Sequence, residues 1–438
     1  MLFKQIRGLH INGRKEMSVK NGVVSFLNPK CVYFPTVVGN TIYTPLVEVG
    51  DDVLKGQPIL ERPGRFGHPI CSSVSGKVTS KKKMWHSSGK MVEMLEITND
   101  GNESTVENYG EKLEVLTKEG IIERIKNAGI VGMGGAGFPT YVKYLPVKSA
   151  EILIINAVEC EPYITADYTL ILTEVEKLMR GIEYMMIACG AKKAAIAIKK
   201  TKKTAIEVLN EAVKTHENIS VFLLNDVYPA GWERYVVEHV TGKTYAGLPS
   251  EAGAVVNNVQ TAISVCEAVE ENKPLIEKVV TFTGEGLVMP CNVRVKIGTK
   301  VSDVIAEIGG YVENLDSAYF IAGGPMTGKS IMFDELVITN SLGSIIVKKN
   351  EDHQNNPSCM GCGKCAEACP AFLTPTEIKA AFDNNDINAL NQLNVMKCVQ
   401  CGLCSYVCPS RVDITEIVGK AKDATAKANA LKAQKAGK

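Results

Sequence analysis

Two cysteine runs of identical form lie near the C-terminal end of the chain: Cys359-Met-Gly-Cys362-Gly-Lys-Cys365-Ala-Glu-Ala-Cys369-Pro370 and Cys398-Val-Gln-Cys401-Gly-Leu-Cys404-Ser-Tyr-Val-Cys408-Pro409. Each reads C-x2-C-x2-C-x3-C-P, the spacing with which a polypeptide wraps a cubane [4Fe–4S] cluster, three thiolates on one cluster and the fourth on its neighbour. The rule assigns Cys359, Cys362, Cys365 and Cys408 to one cluster, and Cys398, Cys401, Cys404 and Cys369 to a second. Zinc and disulfides are the competing readings. Structural zinc prefers four ligands in two pairs, which a triplet followed by Cys-Pro fits poorly.

The rest of the composition narrows the setting. At 438 residues the chain is too long for a single core and should divide into several domains. Lysine plus arginine number 49 against 48 acidic residues, so no global field favours nucleic acid or an anionic bilayer. No apolar run approaches the ~18 residues that span a membrane, and Met1–Arg7 lacks an apolar segment of signal-peptide length. The expectation is a cytosolic protein whose 14 cysteines stay reduced, touching a membrane only through a partner. Cys31, Cys71, Cys160, Cys189, Cys266 and Cys291 show no ligand spacing and read as small buried hydrophobes. The six histidines form no metal-binding pair.

Along the chain, residues 46–78 alternate short apolar stretches with Gly and Pro, the mark of brief strands and tight turns. They resemble the barrel-sandwich fold of lipoyl and biotinyl carriers, but the turn at Cys71–Ser75 lacks the lysine that those carriers modify. Thr117 suits an N-cap for a helix over 118–128 that Gly129 stops. Then comes Gly129-Ile-Val-Gly132-Met-Gly134-Gly135-Ala-Gly137-Phe138-Pro139-Thr140. It satisfies G-x-G-x-x-G formally, yet a helix rather than a strand precedes it, against the usual dinucleotide fold. What survives is that a run without Cβ atoms lets backbone approach a flat ring or phosphate. Strands are expected at 151–155, 194–198 and 219–224, with helices at 168–188 and 201–216 between them, hence a parallel sheet whose ligands bind beyond the strands' carboxyl ends. Those ends carry Asn156, Glu159, Glu161, Tyr228, Gly231 and Glu233, and further on lie Asn257 and Asn258, groups suited to a heteroaromatic edge and sugar hydroxyls but also to capping turns.

These motifs, in this order, are similar to the flavoprotein subunit of respiratory complex I. Together with Asn156-Ala-Val-Glu-Cys-Glu-Pro-Tyr-Ile-Thr-Ala-Asp167, Gly323-Gly-Pro-Met-x-Gly328 and the twin quartets, they resemble more closely the RnfC family, the peripheral NADH-handling subunits of Rnf ion-pumping complexes. The resemblance implies an α/β multidomain chain: a barrel-sandwich domain over 1–110, a doubly wound α/β FMN/NADH domain over 111–275, a β-grasp module over 276–347, a helical two-cluster ferredoxin-like domain over 348–415 and an Ala/Lys tail helix over 416–438. It implies FMN held by Gly132, Gly134, Gly135, Gly137, Lys143, Asn156, Glu159, Tyr228, Gly231, Asn257 and Asn258, with Phe138, Glu161 and Glu233 nearer the nicotinamide nucleotide. NAD(H) would be the substrate, and no catalytic side chain is needed because the hydride chemistry belongs to the flavin. Implied partners are a ferredoxin-like electron-transfer subunit and membrane subunits of an Rnf-type complex, on the inner face of the cell membrane, with no nucleic acid. Met133, Val158 and Trp232 depart from the complex I pattern, and His10-Ile11-Asn12 from the family's His-Pro start. A soluble paralogue, such as a cobalamin reductase or an amino-acid-reductase electron-transfer protein, is therefore the alternative; a flavin-free cluster adaptor is the third reading.

Overall fold

The structure, a computed structural model, describes residues 8–135, 137–147, 149–313, 315, 317–350 and 358–436. The chain divides into two compact units: one of Gly13–Asp226 with Gly231–Asn350, the other of Val227–Ala230 with the described parts of Met1–Asn12 and Glu351–Lys438.

In the larger unit, the Gly- and Pro-punctuated N-terminal stretch forms a four-stranded sheet (Cys31–Pro35, Met91–Asn99, Gly76–Trp85, Asp52–Val53) and a three-stranded one (Thr44–Pro45, Pro58–Glu61, Pro69–Cys71). Val32, Ile59, Leu60, Val78, Leu95 and Ile97 are fully buried in its core. Gly76, at φ +152°, is required where the strands cross, since a Cβ would lie 1.9 Å from the Thr98 carbonyl oxygen. The turn Ser72–Ser75 is buried, and the Ser73 hydroxyl donates to the Ile297 carbonyl at 2.6 Å, so this tip is packed rather than presented.

Thr117 caps helix Lys118–Asn127 as the sequence suggests, its hydroxyl accepting from the Gly120 amide at 3.1 Å. The central sheet is parallel, in the order Ile219–Leu224, Ala194–Lys199, Ile152–Asn156, Ala254–Asn258. Its fourth strand, Ala254–Asn258, extends the three expected. The helical pattern at 168–188 is two helices, Ala166–Thr173 and Val175–Cys189, not one. Glu174 breaks it with φ −135° and ψ 33°, and its carboxylate pairs with Arg294.

A six-stranded sheet follows, in the order Val23–Phe26, Cys291–Lys296, Glu277–Thr283, Ser344–Lys349, Ala318–Ala322, Lys329–Ile331, packed on helix Val301–Glu307. Val23–Phe26 reaches it from the N-terminal segment and pairs parallel with Asn292–Val295. Lys348 and Lys349, at the start of the segment expected to belong to the cluster domain, instead end its strand; residues 351–357 lie outside the described residues.

The smaller unit folds around Ile378, Leu390, Val395, Val412, Ile414 and Val418. Between the quartets lie two short helices, Pro375–Asp383 and Ile387–Gln392. The alanine- and lysine-rich tail is helix Ile414–Ala436, whose first turns bury Val418, Ala421 and Thr425 rather than standing in solvent.

Helices Val175–Cys189 and Val259–Glu271 cross at Gly181, where a Cβ would meet the Ala262 carbonyl oxygen at 2.0 Å. Backbone cannot yield as a side chain does, so Gly181→Ala should destabilise the chain by about 2 kcal/mol despite alanine's higher helix propensity. A lower thermal-unfolding midpoint than wild type is expected; an unchanged or raised one contradicts this packing.

Candidate functional site

The glycine-rich run is a loop closed on itself. The Gly132 amide donates to the Phe138 carbonyl (2.8 Å), Gly137 back to Gly132 (3.2 Å) and Thr140 to Ile130 (3.0 Å), while Val131 pairs with Pro139. Gly132 and Gly137 thus form the neck. The tip projects past it, anchored by the Met133 amide on the Thr261 hydroxyl at 3.0 Å. Gly135 sits at φ +123° with nothing within 4 Å of a hypothetical Cβ, and Gly134 lies against Asn258. Both line a cavity of 340 Å³ at the carboxyl ends of the central strands, within the ~300–1,000 Å³ usual for small-molecule sites.

Asn156 and Asn258, at the ends of adjacent strands, also line it. The Asn156 amide donates to the Gly231 carbonyl (2.9 Å), and its oxygen accepts from the Val158 amide (3.2 Å). Asn258 caps helix Val259–Glu271 through its oxygen, leaving its NH2 to donate to the Asp167 carboxylate at 2.6 Å. Each amide is fixed at both ends, which holds a rigid polar wall.

Glu159 is buried with a positive φ of 45°. Its carboxylate meets Lys202 Nζ at 2.7 Å and Lys15 Nζ at 3.2 Å, and accepts from the Tyr168 amide at 3.2 Å. Burial works to raise its pKa; the two lysines outweigh that and hold it below the ordinary carboxylate range. Lys15, itself pushed down to about 8 by burial, also donates to the Glu161 carbonyl at 3.0 Å. The Glu161 side chain turns to the Gly323–Gly328 loop, accepting from the Thr327 hydroxyl (2.6 Å) and the Met326 amide (3.1 Å). A Cβ at Gly324 would fall 2.0 Å from that carboxylate, so a larger residue there would push the Glu161 side chain out of this position. Gly231 likewise makes room for the Cys160 thiol, 2.8 Å from a hypothetical Cβ, and Cys160 is a cavity residue rather than only a core one.

Of the residues singled out from sequence, Gly134, Gly135, Asn156, Glu159, Glu161, Gly231 and Asn258 therefore converge on the cavity. The others do not line it. Asn257 is buried and donates to the Tyr144 hydroxyl at 3.1 Å. Lys143 donates to the Val256 carbonyl at 2.7 Å, with Glu233 3.9 Å away, and burial lowers its pKa. Phe138 is 38% exposed and packs edge-on against Phe66. Tyr228 falls in the smaller unit, where its hydroxyl donates to the Cys401 carbonyl at 2.7 Å. Sequence reasoning missed Asp167, Lys15, Lys202 and the wall formed by Gly323, Gly324 and Ser341–Gly343. The Gly-Gly-Pro-Met run signals the last; a lone lysine signals nothing.

In the smaller unit the two cysteine runs repeat one geometry. Cys359 accepts from the Gly361 amide and Cys398 from the Gln400 amide, while Cys369 accepts from Leu373 and Cys408 from Val412, all at 3.4 Å. Left-handed backbone recurs in step at Gly361 and Gln400, Gly363 and Gly402, Phe372 and Arg411. Cys369, Cys398, Cys401 and Cys404 surround one enclosed pocket, so a cysteine of the first run joins three of the second. Burial pushes Cys401 up to about 12 and Cys404 to about 11, with Cys369 adding to the effect. Cys359 and Cys362 similarly act on Cys365, after burial. A bound metal reverses this, because a coordinating thiol loses its proton. Among the described residues no group of three His, Cys, Asp or Glu is set to grip a single metal ion.

The open glycine wall and the converging thiols thus fit a flat ring and iron–sulfur clusters respectively. Residues 3–102 match the family model for the RnfC barrel sandwich hybrid domain, 125–267 that for the Nuo51 FMN-binding domain, 279–330 the SLBB domain and 358–412 the 4Fe-4S dicluster domain. The chain is 33% identical over 399 residues to a subunit of the Na(+)-translocating ferredoxin:NAD(+) oxidoreductase complex of Acetobacterium woodii, covering 89% of each. It is 36% identical over 341 residues to the corresponding subunit of the proton-translocating ferredoxin:NAD(+) oxidoreductase complex of Clostridium ljungdahlii, covering 76% of this chain and 74% of that one. With the corresponding subunit of the ion-translocating oxidoreductase complex of Rhodobacter capsulatus the identity is 35% over 367 residues, 80% of this chain and 69% of that one.

Asp167 gives the cavity a pH signature. Burial and the Glu159 carboxylate push it from its ordinary 3.8 up to about 7. Between those values the folded chain keeps a proton that the unfolded chain has released, so stability is fully supported below about 4 and falls as pH rises through about 7. Asp167→Asn should remove that slope from the thermal midpoint measured between pH 4 and 8; an unchanged slope contradicts the assignment.

Proposed function

Since the chain belongs to the RnfC family, we propose that it is the peripheral, NADH-handling subunit of an Rnf-type ion-translocating oxidoreductase, exchanging electrons with a ferredoxin-like partner. The observation that carries the reading is the coexistence, in one chain, of a glycine-walled polar cavity at the carboxyl edge of a parallel sheet and a cysteine-lined pocket. FMN and [4Fe–4S] clusters are its cofactors; together they supply exchange of a hydride with NAD(H) and of single electrons with a carrier.

The chain's own residues bind, orient and exclude water. Gly134 and Gly135 let the backbone approach a ring face, where any side chain would intrude. Asn156 and Asn258 offer fixed amides to its polar edge. Glu159 keeps the strand exit in its left-handed conformation, and Lys15 and Lys202 balance its charge. Glu161 draws the Gly323–Gly328 loop over the cavity. Lys143, Gly132, Gly137, Asn257, Phe138 and Glu233 support this arrangement from behind or beside it. We assign Cys359, Cys362, Cys365 and Cys408 to one cluster and Cys369, Cys398, Cys401 and Cys404 to the other. The segments 1–110, 111–275, 276–347, 348–415 and 416–438 would act as barrel-sandwich, flavin, β-grasp, cluster and tail domains.

Among the described residues no helix is long and apolar enough to cross a membrane. Ion translocation would then belong to membrane subunits, with this chain peripheral on the cytoplasmic side. Co-purification with hydrophobic subunits supports that placement; isolation without them favours the soluble paralogue.

Anaerobically prepared protein should contain FMN together with iron and sulfide for two cubanes. Cys365→Ser should lose the iron and sulfide of one cubane and retain FMN. Gly135→Val should lose FMN and retain the iron. Loss of both cofactors in either correctly folded variant contradicts the assignment.

A further inference from the structure

A second pocket, of 320 Å³, opens between the Arg62–Gly67 loop, Thr44, Lys126 at the end of helix Lys118–Asn127, and Tyr141. None of its residues serves the flavin cavity or the clusters. The loop is held in place by its backbone: the Gly67 amide donates to the Gly64 carbonyl (3.0 Å) and the Arg62 amide to the His68 carbonyl (3.0 Å), while the Tyr141 hydroxyl donates to the Gly67 carbonyl (2.9 Å). Arg62, Arg65 and Lys126 all line the pocket, and none of the three is in an ion pair among the described residues. Glu61, the single acid in the lining, likewise forms no ion pair there.

The cations are arranged rather than scattered. The Arg62 and Arg65 guanidinium carbons lie 5.7 and 5.8 Å from the Phe66 ring centroid, and Lys126 Nζ lies 5.9 Å from that of Tyr141. An arginine lying over an aromatic ring gives up less freedom when it takes a ligand, and its planar fork matches two oxygens of one phosphate. Phe66 in turn packs edge-on against Phe138, ring centroids 5.6 Å apart, and Phe138 keeps an exposed surface. The same short stretch that closes the glycine loop at Gly137 and Phe138 supplies Tyr141 to this pocket. Three cations outside ion pairs, beside a partly exposed aromatic surface, suit a ligand with an anionic group next to a flat ring.

We propose that Arg62, Arg65 and Lys126 form a phosphate-binding site for a nucleotide, with Phe66 and Phe138 beside its base or sugar. A phosphate of the redox dinucleotide and a phosphate of a separate nucleotide share this chemistry, so the test distinguishes them.

The experiment is calorimetric titration of the full-length, anaerobically prepared protein with ADP, NADH and NADPH. Wild type is compared with the Arg62→Ala/Arg65→Ala double variant, with Lys126→Met and with Arg65→Lys. The double variant should bind at least one of these probes roughly tenfold or more weakly, with smaller losses for Lys126→Met and Arg65→Lys. Wild-type affinity should fall with added salt. A loss for NADPH that exceeds that for NADH identifies an extra phosphate on the dinucleotide; equal losses for both identify its pyrophosphate. A loss confined to ADP identifies a separate nucleotide. Unchanged affinity for all three probes in the double variant overturns the proposal. FMN content is measured on every sample, so failure here is distinguishable from failure of the flavin assignment.

Discussion

One buried carboxylate organises the candidate site. Glu159 leaves the first strand of the central sheet in a left-handed conformation that a non-glycine residue adopts only under constraint. The constraint comes from Lys15, Lys202 and the Tyr168 amide, which reach it from the N-terminal segment, the turn after strand Ala194–Lys199 and helix Ala166–Thr173 respectively. A buried charge on that scale is tolerable only when paired and hydrogen-bonded. Here the pairing also fixes where Cys160, Glu161 and Asp167 fall around the cavity. Removing one lysine would leave an uncompensated charge inside the unit, which is costlier than losing a surface ion pair.

Much of this was legible in the sequence because the signals are local. A threonine cap and a stopping glycine delimit helix Lys118–Asn127, and apolar runs mark the first three parallel strands. The cysteine spacing anticipates a thiol of one run meeting three of the other, as Cys369 does. What was not legible depends on contacts distant in the chain. Strand Ala254–Asn258 is short and ends in two asparagines, so it reads as a turn until the sheet pairs it. The helix break at Glu174 follows from Arg294, far along the chain. Asn257 and Asn258 are neighbours of the same type, yet alternation along the strand sends one to Tyr144 and the other to the cavity. The bond from the Tyr228 hydroxyl to the Cys401 carbonyl likewise joins residues distant in the chain.

The six-stranded sheet has more to do with the site than its place after the flavin segment suggests. Its Gly323–Gly328 turn and the Ser341–Gly343 loop form one wall of the cavity, and Glu161 is the latch between that turn and the central sheet. Gly328 lies too close to the Gly324 and Ala322 carbonyls for any side chain, and Gly324 leaves room for the Glu161 carboxylate. In the smaller unit, the matched left-handed residues and amide-to-sulfur bonds of the two runs give each thiol group a similar backbone cradle. Such bonds to sulfur tune cluster potentials.

The central claim is that electrons enter at the glycine-walled cavity and leave through the cysteine-bound clusters. Anaerobic stopped-flow mixing with NADH, and separately with NADPH, followed at flavin and iron–sulfur wavelengths, tests it most directly. Flavin absorbance should fall first and cluster absorbance after it with at least one of the two nucleotides. A flavin that stays oxidised with both nucleotides, or clusters that are reduced while it stays oxidised, would contradict the account.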